Sequence, residues 1–255
     1  MAVRRALPTD CRRFARGMKY SDSIAPMSEL ASNTELLRSL GRLVRGLSAL
    51  FWGLPASLLV CFHAARSSDP KSLWWLPPLL CTGWLVYGLW QLGDFQKQER
   101  VWRNSLDRAQ VLSFINFGLS PFLFWWSRMP LNVFFTVIVI IFAFSALLFL
   151  ASLNAVLRRL GAMLPDEALR QETRQFTALN LNLIAVAFVL ALMDVLLHRL
   201  NARSLPWWLF QSRLVLDDLS LWLLVPLVLL PLAMTMALLW KTKEVILDSV
   251  FSGKS

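Results

Sequence analysis

The stretch LNVFFTVIVIIFAFSALLFLASLNAV, residues 131–156, decides the fold class. None of its 26 positions carries a charge. An α-helix rises about 1.5 Å per residue, so roughly 20 apolar residues cross the ~30 Å hydrocarbon core of a bilayer. Spans of a membrane β-barrel are short and alternate apolar with polar residues. Here the apolar residues are continuous. A helix also satisfies its own backbone hydrogen bonds, as lipid requires. The stretch therefore predicts a membrane-spanning helix.

Five further apolar segments flank it. Leu47–Ala65, Leu73–Gly93 and Ala109–Trp126 precede it, and Leu179–Leu197 and Leu219–Trp240 follow. The Ala109–Trp126 segment is the weakest, being short and holding Asn116 and Pro121. After it, the turn SRMP (127–130) leads into the next segment, with Pro130 placed at a helix start. The expected fold is an all-α polytopic membrane bundle of six transmembrane helices.

Composition agrees. The 255 residues are 56% hydrophobic and 16% charged, against about 25% charged in soluble domains. The polar stretches between segments are too short to fold alone. A net charge of +10 suits nucleic acid or an anionic membrane face equally. Beside so many apolar segments it predicts a lipid bilayer as partner and no nucleic acid.

Charge also sets the orientation. With six spans, the amino terminus, the second and fourth loops and the carboxyl terminus hold 20 Lys/Arg, and the other three loops hold 6. The positive-inside rule puts the 20 in the cytoplasm. Both termini are expected there, in a multi-pass protein of the cell inner (plasma) membrane. Trp74, Trp75, Trp125, Trp126, Trp207, Trp208 and Trp222 fall near the opposite boundary, where an aromatic belt is expected.

Residues 1–32 read as a disordered basic tail without the apolar run of a signal peptide. Ser32–Glu35 (SNTE) has the form of a capping box. Behind it Leu36, Leu40, Leu43 and Leu47 recur at helical spacing, interrupted by Arg38, Arg42 and Arg45. Residues 33–46 are therefore expected to form an amphipathic helix at the membrane surface. The transmembrane domain is 47–240, and 241–255 is a cytoplasmic tail. The polar stretches 94–110 and 164–180 both read as helical, the first as a continuation of the second span. They offer a docking surface for a membrane or cytoplasmic protein partner. Cys61 and Cys81 lie in consecutive segments and read as small apolar residues rather than a disulfide.

Catalytic and cofactor motifs are missing from the sequence, and no cofactor is expected. The polar candidates inside apolar runs are Asp194, His198 and Asn116, with Asn132, Asn180, Asn182 and Gln91 as helpers. An ionised Asp at the bilayer centre costs about 2.5–3.5 kcal/mol. Asp194 and His198 are one helical turn apart, so a structural pair is the favoured reading and a proton or cation site the alternative. His63 and His198 are the two histidines. Held together, they would make a haem or metal site. On balance the sequence predicts a non-enzymatic subunit or scaffold of a membrane assembly. A small transporter or channel using Asp194 and a haem- or metal-binding redox membrane protein using His63 and His198 are the alternatives.

Overall fold

A computed structural model describes residues 25–66, 73–93, 100–163, 167–199 and 207–252. Side-chain surroundings are described for 38–66, 73–93, 100–163, 170–171, 173–193, 195–196 and 225–247. The described residues form seven helices: α1 (Ala25–Arg66), α2 (Leu76–Gly93), α3 (Arg100–Leu119), α4 (Phe122–Arg128), α5 (Val133–Met163), α6 (Glu167–Arg199) and α7 (Trp207–Ser252). The described residues are helical apart from short turns and include no strand, as the apolar segments require.

Four stretches are long and apolar enough to cross a membrane: Arg38–Arg66, Val133–Met163, Thr173–Met193 and Val225–Leu247. The most apolar is α5, with a mean hydropathy of 3.0. Six such spans are not found among the described residues. The second segment forms an 18-residue helix, α2, about 27 Å long. Three glycines, two tryptophans and two prolines dilute its apolar character. The third segment is divided. Pro121 has no N–H to donate, and the chain turns at Ser120–Pro121 before α4 begins at Phe122. Leu123 N–H and Phe124 N–H bond to the carbonyls of Ser120 and Pro121, at 3.3 and 3.2 Å. Pro130 precedes α5 rather than opening it. Asn132 is the cap, its Oδ1 accepting the Phe134 N–H at 3.0 Å.

The amino-terminal region also differs from its expected form. Residues 33–46 and the first apolar segment belong to one uninterrupted helix, α1, which starts at Ala25. Pro26 falls in its first turn, where proline is tolerated, and Ser32 lies inside the helix. The apolar stripe of α1 does not lie on a surface. Leu43, Leu47, Leu50 and Leu54 are all buried in the main core. Helical spacing of leucines says that one face is covered, not whether lipid or protein covers it. The charged stretch after α2 is likewise reassigned. From Arg100 it opens α3 rather than continuing α2, and 94–99 lie outside the described residues.

The long helices close a ring. Each of α1–α2, α2–α3, α3–α5, α5–α6, α6–α7 and α7–α1 is a packed pair, and α5 also touches α7. The tightest crossing is α1 on α2. A Cβ on Gly46 would lie 2.8 Å from the Gly88 carbonyl oxygen, so the two backbones nearly touch. Small residues allow such an approach between helices in lipid. Neighbours in the ring run antiparallel. His63 lies by Trp74 and Gly46 by Gly88. Gln110 reaches the Leu89 carbonyl. Gly161 faces Thr173 and Phe144 faces Phe188. This register gathers Arg38, Arg42, Arg45, Arg100, Arg103, Arg158, Arg159, Arg170, Arg174, Lys241 and Lys243 at one end of the bundle. Toward that end Trp102 on α3 is 1% exposed and belongs to the same buried cluster as Leu92, Leu160 and Ile246. The outer faces carry Trp52 at 68% and Trp90 at 73% exposure. Large apolar side chains so exposed suit contact with lipid tails.

Candidate functional site

Polar side chains inside an apolar bundle are the natural place to seek a site. Three junctions appear, at successive levels. The first lies beside the Pro121 break, where Thr82 Oγ1 and Ser120 Oγ are 3.2 Å apart between α2 and the end of α3. Both hydroxyls also donate to carbonyls of their own helices, Thr82 to Pro78 and Ser120 to Phe117. In the second, the Ser145 hydroxyl of α5 donates to Asn116 Oδ1 of α3. Both residues are buried.

The third joins three helices. Asn154 on α5, Asn180 on α6 and Thr235 on α7 are each 0% exposed. Asn154 Nδ2 donates to Thr235 Oγ1 at 2.9 Å and to its own Leu150 carbonyl at 2.8 Å. Asn180 Nδ2 donates toward Asn154 Oδ1 at 2.9 Å, Thr235 Oγ1 at 3.0 Å and the Pro231 carbonyl at 3.2 Å. Thr235 Oγ1 in turn donates to the Pro231 carbonyl at 2.7 Å. Thr235 stands one turn past Pro231, so the residue that bends α7 also supplies the acceptor. Each hydrogen bond between membrane helices is worth about 0.6 kcal/mol on average and ~1.7 at most. The junction carries several of them over one turn of each helix.

The expected candidates are distributed differently. Asn116 belongs to a junction, as just described. Asp194 and His198 lie on α6, but their side chains fall outside the described residues. His63 is exposed near the end of α1, its ring 5.3 Å from that of Trp74. It lines an open apolar groove of about 200 Å³ with Leu59, Trp74, Pro77 and Pro78. Among the described residues α1 packs on α2, α4 and α7, and shares no extensive face with α6. The surroundings of His198, and with them a pairing of the two histidines, lie outside the described residues. Cys61 and Cys81 are free thiols. Gln91 donates to the Tyr87 hydroxyl at 2.7 Å on an exposed face, and Asn182 is exposed.

Asn154 and Thr235 are the members that sequence reasoning missed. Asn154 stands two residues from the end of the 131–156 run, where a polar residue looks like a boundary. Thr235 looks like an ordinary helix residue until its position after Pro231 is considered. The geometry defines a helical bundle with membrane-length apolar spans, locked internally by amide and hydroxyl groups. No family model, curated protein or solved structure matches the chain.

Proposed function

We propose that the chain is a six-span integral membrane protein acting as a non-enzymatic subunit or scaffold of a membrane assembly. Its termini would lie in the cytoplasm beneath a plasma (inner) membrane. Four spans are long helices. The remaining two crossings fall to α2, about 27 Å long, and to the broken α3–α4 unit. The clustering of basic residues at one end of the ring supports the orientation, since cytoplasmic loops collect Lys and Arg.

The observation that carries the scaffold reading is Asn182. It is exposed on α6 and falls at the middle of the Thr173–Met193 span. Ala178 and Ala185 are exposed on the same face. No described residue bonds its amide. Lipid tails offer an amide nothing, whereas a neighbouring membrane helix offers both donors and acceptors. Flanking alanines let that helix approach closely. Most polar side chains within the bundle are meanwhile engaged in joining helices, which favours structure over a polar path. Neither the transport reading on Asp194 nor the redox reading on His63 and His198 gains support from the ring geometry.

The test is the mass of the detergent-extracted protein after cross-linking in its native membrane. The parent is expected to co-purify in an assembly larger than the monomer, and Asn182→Leu to lose it while remaining folded. A parent that is monomeric, or a variant whose assembly is unchanged, would refute the reading.

A further inference from the structure

The three-helix junction leaves two polar atoms without partners. Asn180 Nδ2 faces three oxygen acceptors, on Asn154, Thr235 and Pro231. That fixes the orientation of the amide, because exchanging its oxygen and nitrogen would set Oδ1 against lone pairs. Oδ1 therefore points away from the three helices' contact, and nothing donates to it. Thr177 Oγ1, one turn back on α6, also lacks a partner. Both residues are 0% exposed. Such orphans are rare in folded proteins and call for an occupant.

The face of α6 that carries them is polar. Antiparallel register from the Asn180–Thr235 contact brings Thr173 and Thr242 to a common level, seven residues nearer the basic end. That is about 10.5 Å along each helix. Both are almost fully buried. Thr173, Thr177 and Asn180 share one face of α6, with Thr173 against Gly161 of α5 and Asn180 against Thr235 of α7. The stripe runs from the basic end to the middle of the bundle.

We propose that Thr177 and Asn180 hold one buried water molecule. The water donates to Asn180 Oδ1 and accepts from the Thr177 hydroxyl. Buried waters characteristically satisfy polar groups left over by the protein, with two to four partners. A cation is the poorer occupant. Arg170, Arg174, Lys241 and Lys243 lie toward the basic end of the two helices, and Thr173, Thr177 and Asn180 offer no carboxylate to balance a charge. This inference stands apart from the scaffold reading, because it concerns α6's inward face and not the Asn182 face.

The sign of one substitution tests it. Thr177→Val keeps the shape and removes the hydroxyl. If water bridges the site, the variant strands it and the melting temperature of the purified protein falls by about 3 °C, while Thr177→Ser melts with the parent. If the site is dry, removing an orphan hydroxyl raises the melting temperature, and the proposal fails. Water-edited solid-state NMR of asparagine-labelled protein in lipid gives a second readout. Transfer from water to the Asn180 side-chain amide is expected in the parent and lost in Thr177→Val. Its absence from the parent would overturn the proposal. So would a melting temperature that falls in the parent alone when choline replaces sodium and potassium, since the occupant would then be a cation.

Discussion

Asn154→Leu removes the polar centre of the three-helix junction while keeping the branched outline of the side chain. The side chain makes two contacts across helices, donating to Thr235 and accepting from Asn180. At about 0.6–1.7 kcal/mol each, their loss costs about 1–3 kcal/mol. Leu keeps the branched outline of Asn but is bulkier, so fitting it beside Leu150, Leu153 and Leu157 of its own helix adds overpacking to the loss and brings the cost to the upper part of that range. Asn180 retains Thr235 and Pro231 as acceptors, which holds the cost within that range. For a chain of this size one kcal/mol moves the melting temperature by about 2–4 °C. Thermal unfolding in detergent, followed by intrinsic tryptophan fluorescence, should therefore show a fall of about 3–10 °C. A double-mutant cycle with Thr235→Val isolates the direct contact, and a coupling of about 0.5–1.5 kcal/mol is expected. Strict additivity, or an Asn154→Leu variant as stable as the parent, would show that the amide does not join the helices.

Two further outcomes follow from the packing and the charge pattern. A Cβ on Gly46 would collide with Leu92 Cδ1 and lie 2.8 Å from the Gly88 carbonyl oxygen, so Gly46→Ala should destabilise by about 1–3 kcal/mol. Gly41 has nothing within 4 Å, so Gly41→Ala should be neutral or stabilising by up to ~1 kcal/mol through helix propensity; the same melting assay compares the pair. Reporter fusions at residue 255 and within the loop at Arg203 should report opposite sides of the membrane, and signals from one side would defeat the six-span topology.

What the sequence makes legible depends on what each signal measures. The α5 helix is plainly legible because a run of 26 residues without charge is long and apolar enough to cross a membrane. The stripe of α1 is legible as a helix face, but its cover is not, since Leu43 and Leu47 would be spaced identically against lipid or against α2. Hydropathy understates α2 for a physical reason. Gly83 and Gly88 lower its apolar score, while Gly88 is what lets α1 approach. Asn116 and Asn180 are visible as polar residues inside apolar runs. Their partners Ser145, Asn154 and Thr235 are not, because pairing depends on register between helices up to 81 residues apart.

That register is itself what the polar groups supply. Lipid tails are as apolar as leucine, so burying leucines between helices does little to favour one axial alignment over another. A slide of one turn, about 5.4 Å, would exchange one leucine contact for another along α5 and α6. It would also separate Asn154 from Asn180 and Thr235, leaving three buried amide and hydroxyl groups unpaired, and it would part Ser145 from Asn116. Unpaired groups cost about 1–3 kcal/mol each, more than the hydrogen bonds contribute when made. The two α5 junctions stand nine residues apart, about 13.5 Å along the helix. A slide of α5 breaks both, because one ties it to α3 and the other to α6 and α7. Apolar surface makes these helices insert and gather, and a few amides and hydroxyls select which of the many gathered arrangements is the native one.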